Sequence, residues 1–265
     1  MQRRQFIRLA QTGLLGSLTT GLTIAGKAIA APPKPVISKP PTLDPKNLNI
    51  EWLGHMSFLF TGQGQRILSH PFKPAGCTAK FPEPKPKTDL ILIGSRLLDE
   101  GFLAALPQDT QLLYLPGAYK VSGINFQGIR FDHDRLGGRR FGTNVAWLWQ
   151  QAGIRVLHMG GSASSINPDQ RILLGRPDVL ILPVGGSEKA YNAVEAKAIV
   201  DTLNPKLVIP TYYLTSKAEK TCTLAKVDEF LALMPDIKVN NITNSKLQLT
   251  ASKLPETMSI SVFRA

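Results

Sequence analysis

Short apolar runs separated by glycine-containing turns dominate the chain from residue 48 onward. Leu48–His55 alternates apolar and polar positions as a half-buried strand does. Ser57–Phe60 and Gln65–Ser69 flank Gly62-Gln-Gly64 as the arms of a hairpin. Leu90–Ile93 is continuously apolar and reads as a buried strand, and Phe102–Leu106 predicts a short helix. Gln111–Leu115, Gly123–Phe126, Gly128–Phe131, Asn144–Trp149 and Ile154–His158 follow as short strands. The period then changes. Val179–Pro183 and Pro205–Pro210 are strands, while Val194, Ala198, Ile199 and Leu203 recur at helical spacing and predict a helix over Ala193–Leu203. A further helix is predicted over Ala225–Met234. Many strands followed by strand–helix alternation predict an α/β sandwich with helices on the outer faces of packed sheets. No internal repeat of fixed period is present, and one domain is expected over 48–265.

The first residues differ in kind. Arg3 and Arg4 open Arg-Arg-Gln-Phe-Ile-Arg, an uncharged run follows from Leu9 to Gly26, and Ala28-Ile-Ala30 presents small residues as at a signal-peptidase site. Residues 1–30 are therefore expected to be a twin-arginine signal peptide. A retained membrane anchor is the alternative, since the run approaches spanning length. Residues 31–47 carry Pro32, Pro33, Pro35, Pro40, Pro41 and Pro45 and predict an extended linker. The expected address is the periplasm, or the thylakoid lumen if the source has thylakoids, reached through transient contact with the twin-arginine translocase.

The chain has 265 residues, 43% of them hydrophobic, with a formal net charge of +12. Without Arg3, Arg4, Arg8 and Lys27 of the leader, 27 basic and 19 acidic residues remain, a net charge of +8. That excess suits an anionic small molecule or an acidic envelope protein. It is spread along the chain without a basic–aromatic pattern, so no nucleic-acid partner is expected. Cys77 and Cys222 could pair in an exported chain or stand as two free thiols; spacing alone decides neither.

Several motifs occur in a fixed order: Trp52-Leu-Gly-His-Met-Ser-Phe-Leu59, Arg66-Ile-Leu-Ser-His-Pro-Phe72, Val156-Leu-His-Met-Gly-Gly161, Pro177–Gly186 and Pro205–Tyr213. Together they resemble the metallo-β-lactamase fold, in the branch that includes ascorbate-phosphate lactonase-like hydrolases, from about Leu48 to at least Thr215. The resemblance implies a four-layer αββα sandwich. It also implies a dinuclear zinc site fed by a His-x-His-x-Asp-His loop, a later His, the Asp of His-x-Gly-Asp and a His after Ile-Pro. Here those positions read Ser95, Leu97, Asp99, Glu100, His133, Gly161 and Tyr212. Only Asp99 and His133 match the family's donors, and Leu97 and Gly161 carry none.

The chain is therefore expected to lack the dinuclear zinc site and to need no cofactor. A single divalent ion on Asp99, Glu100 and His133, with Asp132 or Asp134, is left open; otherwise Asp99 caps the following helix and Glu100 lies in its first turn. Arg96, Arg130, Arg135, Arg139 and Arg140 could replace metal charge and keep a positive pocket for an anion, although Arg139 and Arg140 read rather as a solvated loop. Arg96, His133, His55 and Tyr212 are the expected ligand-binding residues. His158 reads as structural, and His70 stands where the family has an Asp. Ser162, Ser164 and Ser165 lack a nucleophile-elbow context. Two functions follow, and activity stays open between them. One is a non-catalytic descendant that binds an anionic small molecule or an envelope partner. The other is a hydrolase of lactone, phosphoester or amide bonds with a single-metal or metal-free site, in which Asp99 and His133 act as base and ligand and Arg96 stabilises negative charge. A purely structural module is the third possibility.

Overall fold

The computed structural model describes residues 46–264; the signal peptide expected at 1–30 and most of the linker expected at 31–47 lie outside them. The described residues begin with an antiparallel meander, β1 (Asn47–Gly54), β2 (Ser57–Gly62) and β3 (Gln65–Ser69), to which β4 (Leu90–Leu92) and β5 (Gln111–Leu113) add in parallel. A second run contains β6 (Gly117–Val121), β7 (Ile124–Asp132), β8 (Thr143–Gln151) and β9 (Ile154–His158). Then come α1 (Pro168–Leu174), β10 (Val179–Pro183), α2 (Ala193–Leu203), β11 (Leu207–Thr211), α3 (Val227–Ala232), β12 (Lys238–Ile242), β13 (Lys246–Thr250) and β14 (Ser259–Phe263). One sheet has the order β13-β1-β2-β3-β4-β5 and the other β12-β14-β11-β10-β9-β8-β7-β6.

The two patterns of apolar residues have two causes. β1 alternates buried and half-buried positions because one face meets the opposite sheet. β10 and β11 are buried at every position because parallel neighbours flank them and both their faces are covered. Phe58, Phe60, Trp147, Trp149 and Phe263 fill the space between the sheets, with Phe60 edge-on to Trp149 at 4.9 Å. Ile199 and Leu203 of α2 and Phe230 of α3 cover Leu180, Leu182 and Val208 on the outer face of the larger sheet. α2 starts in a reciprocal cap between Asn192 and Glu195 and ends at Asn204 in the left-handed region.

The α/β sandwich is as expected, with two local corrections and one open alternative decided. The helix expected over Phe102–Leu106 is absent: Gly101 and Pro107 bound too few residues, and only a turn from Leu103 to Leu106 forms. Asp99 therefore caps no helix. Leu103 and Leu106 still pack on Leu59, Leu68, Ile91 and Ile93, so an irregular segment covers that face of the smaller sheet. Gly123–Phe126 and Gly128–Phe131 merge into one strand, β7, because Gly128 lets the Trp147 ring approach where a Cβ would come within 2.9 Å. The cysteines are paired: Cys77 after β3 is bonded to Cys222 after β11, with Cα atoms 5.0 Å apart.

Candidate functional site

The candidate residues follow the C-terminal ends of their strands: His55 after β1, His70 after β3, Ser95–Glu100 after β4, His133 after β7, Gly161 after β9, Tyr212 after β11. Three of them, His55, His70 and Tyr212, have φ of 52°, 46° and 55°. The chain turns sharply at each of these strand ends, in a region that non-glycine residues seldom occupy.

At the centre is a cluster of four charges, two fully buried and two partly exposed. Glu100 and His133 are fully buried, and the His133 Nε2 meets Glu100 Oε1, which also accepts the Ser95 hydroxyl. Glu100 Oε2 accepts the N–H of Gly161 at 3.0 Å. The His133 Nδ1 lies 3.1 Å from the carbonyl oxygen of Lys189, so that nitrogen carries a proton and donates. Burial opposes both charges, but each is the other's counter-charge. Glu100 is held below the usual carboxylate range and His133 above the usual imidazole range.

Lys189 completes the cluster, and sequence reasoning missed it. Its Nζ lies 2.6 and 2.7 Å from the two Asp99 oxygens. Burial raises the Asp99 carboxyl, but neighbouring His55 and the Lys189 ammonium outweigh this and hold it well below its ordinary value. Two carboxylates thus face an ammonium and an imidazolium, and the cluster is close to neutral. The signal that could have revealed Lys189 was the pair Asp99-Glu100 itself: two buried carboxylates demand cations, and Lys189 follows the Gly185-Gly186 turn after a buried strand.

His55 and Tyr212 form the adjoining wall. His55 is 3% exposed, buried rather than at a mouth. Its ring lies 4.4 Å from the Tyr212 ring, and its Nε2 is 3.9 Å from Asp99 Oδ2 without a hydrogen bond. Burial pushes the Tyr212 phenol far above its ordinary pKa, so no phenolate is available as a donor. His158 is hydrogen-bonded: its Nδ1 accepts from the Gly160 N–H at 3.1 Å and its Nε2–H donates to the Met56 carbonyl at 3.0 Å. His70 stacks on it at 4.1 Å, fully buried, with both ring nitrogens unpartnered.

The arginines do not gather here. Arg135 binds Glu195 and the carbonyls of Ser187 and Ala190, clamping the Lys189 loop from outside. Arg140 pairs with Glu188, Arg130 lies 4.0 Å from Asp132, and Arg139 is exposed. Arg96 is exposed with its guanidinium 5.0 Å from the Tyr114 ring centre, and no ion pair or hydrogen bond joins it to Asp99, Glu100 or His133. The expected guanidinium-lined pocket at the old ligand positions is thus replaced by the Lys189–Asp99 and His133–Glu100 pairs. Asp134 is also committed, accepting from the backbone N–H groups of Leu136, Gly138, Arg140 and Phe141, which hold its carboxyl below the ordinary value.

These residues do not fit a two-metal donor set. Leu97 and Gly161 offer no donor, Asp99 spends both oxygens on Lys189, and Glu100 spends both within the cluster. A Cβ at Gly161 would lie 2.6 Å from Glu100 Oε2 and 2.5 Å from His133 Cε1, so the family's aspartate has no room there. Among the described residues no group of three His, Cys, Asp or Glu side chains is arranged to hold a metal ion.

Comparison with known proteins agrees with the fold. A UPF0173 metal-dependent hydrolase of Thermoplasma acidophilum is 24% identical over 197 residues, 64% of this chain and 85% of that protein. The crystal structure of a metallo-β-lactamase superfamily protein from Thermotoga maritima superposes with a TM-score of 0.65 at 26% identity, covering 82% of this chain and 98% of that one. A metallo hydrolase of Ignicoccus hospitalis shares the fold with a TM-score of 0.56 at 16% identity, over 82% and 95% of the two chains. The profile of the β-lactamase superfamily domain matches residues 49–212. The chain belongs to that superfamily.

Proposed function

We propose that this chain is a metal-independent member of its superfamily, exported and acting as a binding protein rather than a hydrolase. The observation that carries the reading is the contact of Lys189 Nζ with both Asp99 oxygens, at 2.6 and 2.7 Å. Together with the His133 imidazolium, it supplies internally the positive charge that bound metal would supply in relatives. Asp99, Glu100 and His133 are each tied up in a pair at the nearly neutral centre, so none of them stands free as a base for an attacking water. The Cys77–Cys222 bond suits an oxidising compartment and supports export. The ligand in this reading is an anionic small molecule or an envelope partner.

A second reading keeps hydrolysis. Relatives are named metal-dependent hydrolases, and Asp99, Glu100 and His133 still lie in one cluster. A single divalent ion on those three residues requires Lys189 to withdraw and the Glu100–His133 pair to open. Elemental analysis of protein purified from its native export route separates the two readings. The binding-protein reading expects no stoichiometric metal and no change of melting temperature with chelator. Stoichiometric zinc or iron, with a chelator-induced loss of stability restored by the metal, establishes the hydrolase reading instead.

A further inference from the structure

Beside the buried cluster, and separated from it by Phe141, lies a surface pocket of about 380 Å³. Phe141 has the His133 ring centre at 6.3 Å and the Lys189 Nζ at 6.0 Å, and its ring also lines the pocket. Ile93 and Val145 lie behind the lining, 0% and 2% exposed, so the accessible apolar surface comes from Leu97, Tyr114, Leu115 and Phe141, with exposed Arg96 beside them. The lining contains one charged side chain, Arg96, and no carboxylate.

Three observations give this pocket a ligand chemistry. First, Arg96 has no acidic partner within ion-pair distance, unlike Arg66, Arg135 and Arg140, which are all paired. Its contact with the Tyr114 ring at 5.0 Å leaves the planar fork of N–H donors free and limits its orientation. Second, the Ser95 hydroxyl is committed to Glu100, whereas the Thr143 hydroxyl is exposed in the same pocket without a hydrogen-bond partner among the described residues. Third, Tyr114 and Leu115 are 39% and 54% exposed, unusually open for large apolar side chains that line a concavity.

We infer that this pocket binds a small amphipathic carboxylate, whose acid group pairs with Arg96 and whose aryl or branched-alkyl body lies against Leu97, Leu115 and Phe141. A carboxylate matches the guanidinium fork bidentately, and the Thr143 hydroxyl donates to it or to a substituent beside it. An inorganic anion uses the fork and leaves the apolar walls wet. A pocket of this size and mixed lining suits a ligand with one charged end. The inference deepens the binding-protein reading by naming its ligand class, and rests on that reading for the ligand's role. The pocket's geometry does not depend on what the buried cluster holds.

Calorimetric titration of the full-length exported protein tests it, with 3-phenylpropionate as probe, 3-phenylpropanol as its uncharged counterpart and inorganic phosphate at matched ionic strength. Single-site binding of the acid is expected, weakened about tenfold or more both by loss of the charge on the probe and by Arg96→Gln. Arg139→Gln, an equal charge change outside the pocket, should leave affinity within about twofold. Arg96 is exposed, so neither variant threatens folding. Absence of saturable binding at millimolar probe overturns the inference, as does equal binding of acid and alcohol. Phosphate binding as tight as the acid's, or equal losses from the two arginine variants, overturns the ligand class. Metal content of the same sample is read separately: stoichiometric metal with Arg96-dependent binding retains the pocket and rejects the metal-independent reading, whereas neither metal nor binding rejects the pocket alone.

Discussion

Glu100 and Gly161 are a matched pair: the Gly161 N–H donates to Glu100 Oε2 at 3.0 Å, and a Cβ on residue 161 would stand 2.6 Å from that same oxygen. The missing side chain at 161 makes the space in which Glu100 meets His133. What looks from the sequence like two independent departures from a metal-binding pattern is one packing solution.

Gly161→Ala is expected to lower stability by about 1–3 kcal/mol, since the methyl group must displace a buried carboxylate or a buried imidazole. Urea unfolding checks this. In the double variant Glu100→Gly, Gly161→Asp the clash with the Glu100 carboxylate is relieved, leaving only the His133 ring to shift, and a carboxylate is returned to the position where relatives carry one. Part of the lost stability should return; two simply additive losses would disprove the pairing.

Lys189→Met removes the ammonium and leaves Asp99 without its counter-charge. Both side chains are partly exposed, 17% and 27%, so the expected loss is about 2 kcal/mol at neutral pH rather than the larger value for a fully buried pair. The loss should shrink on acidification, because the Asp99 pKa rises once Lys189 is gone and protonation then removes the unpaired charge. Asp99→Asn in the same background should restore most of the stability at neutral pH.

His70 and His158 predict the acid behaviour. Burial lowers both, His158 to about 4 and His70 well below its ordinary value, so the folded state holds them neutral. Stability from groups depressed in this way is complete above about pH 6.5 and is lost as pH falls towards 4, by about 3 kcal/mol from His158 alone. His133, raised by Glu100, works in the opposite sense: its contribution is complete below about pH 6.5 and is lost as pH rises through its higher folded value. His70→Asn should flatten the acid limb of the pH–stability curve, and an unchanged limb would exclude His70 as a cause.

Much of the sandwich was legible because its strands are apolar runs of the right length and the helix at Ala193–Leu203 is periodic, whereas the short capped helix Pro168–Leu174 was not anticipated. The irregular cover over Leu97–Thr110 was not, since Leu103 and Leu106 pack as a helix face would without forming one. Nor were β12, β13 and β14, whose short polar or mixed sequences become strands only by pairing with distant partners. At the site, the ligand positions were readable from motif order, whereas the cation was not. Lys189 lies 90 residues from Asp99, and only the fold brings its Nζ to that carboxylate. The same distance effect misdirected attention to the arginines near His133, which are close in sequence and turn outward in space.

The Cys77–Cys222 bond closes a separation of 145 residues and packs beside Met56, Tyr212 and Leu224, behind the Tyr212–His55 wall. Loop-closure entropy for that span is worth up to about 5 kcal/mol. Reduction, or Cys77→Ser with Cys222→Ser, should therefore lower the melting temperature markedly while leaving Lys189 and Asp99 paired. Differential scanning calorimetry with and without reductant reads this directly.

The strand order has a consequence for how the chain reaches this state. β13 covers the edge of β1 in the smaller sheet, and β14 lies between β12 and β11 inside the larger one, so late residues up to Phe263 complete both sheets. Neither half of the molecule can close its sheet alone, and contacts between sequence-distant segments make for slow acquisition of structure. Until Phe263 is available, the edges of β1 and β11 stay open to wrong partners, including other copies of the same chain. A protein built this way needs protection between synthesis and completion more than it needs extra stability afterwards.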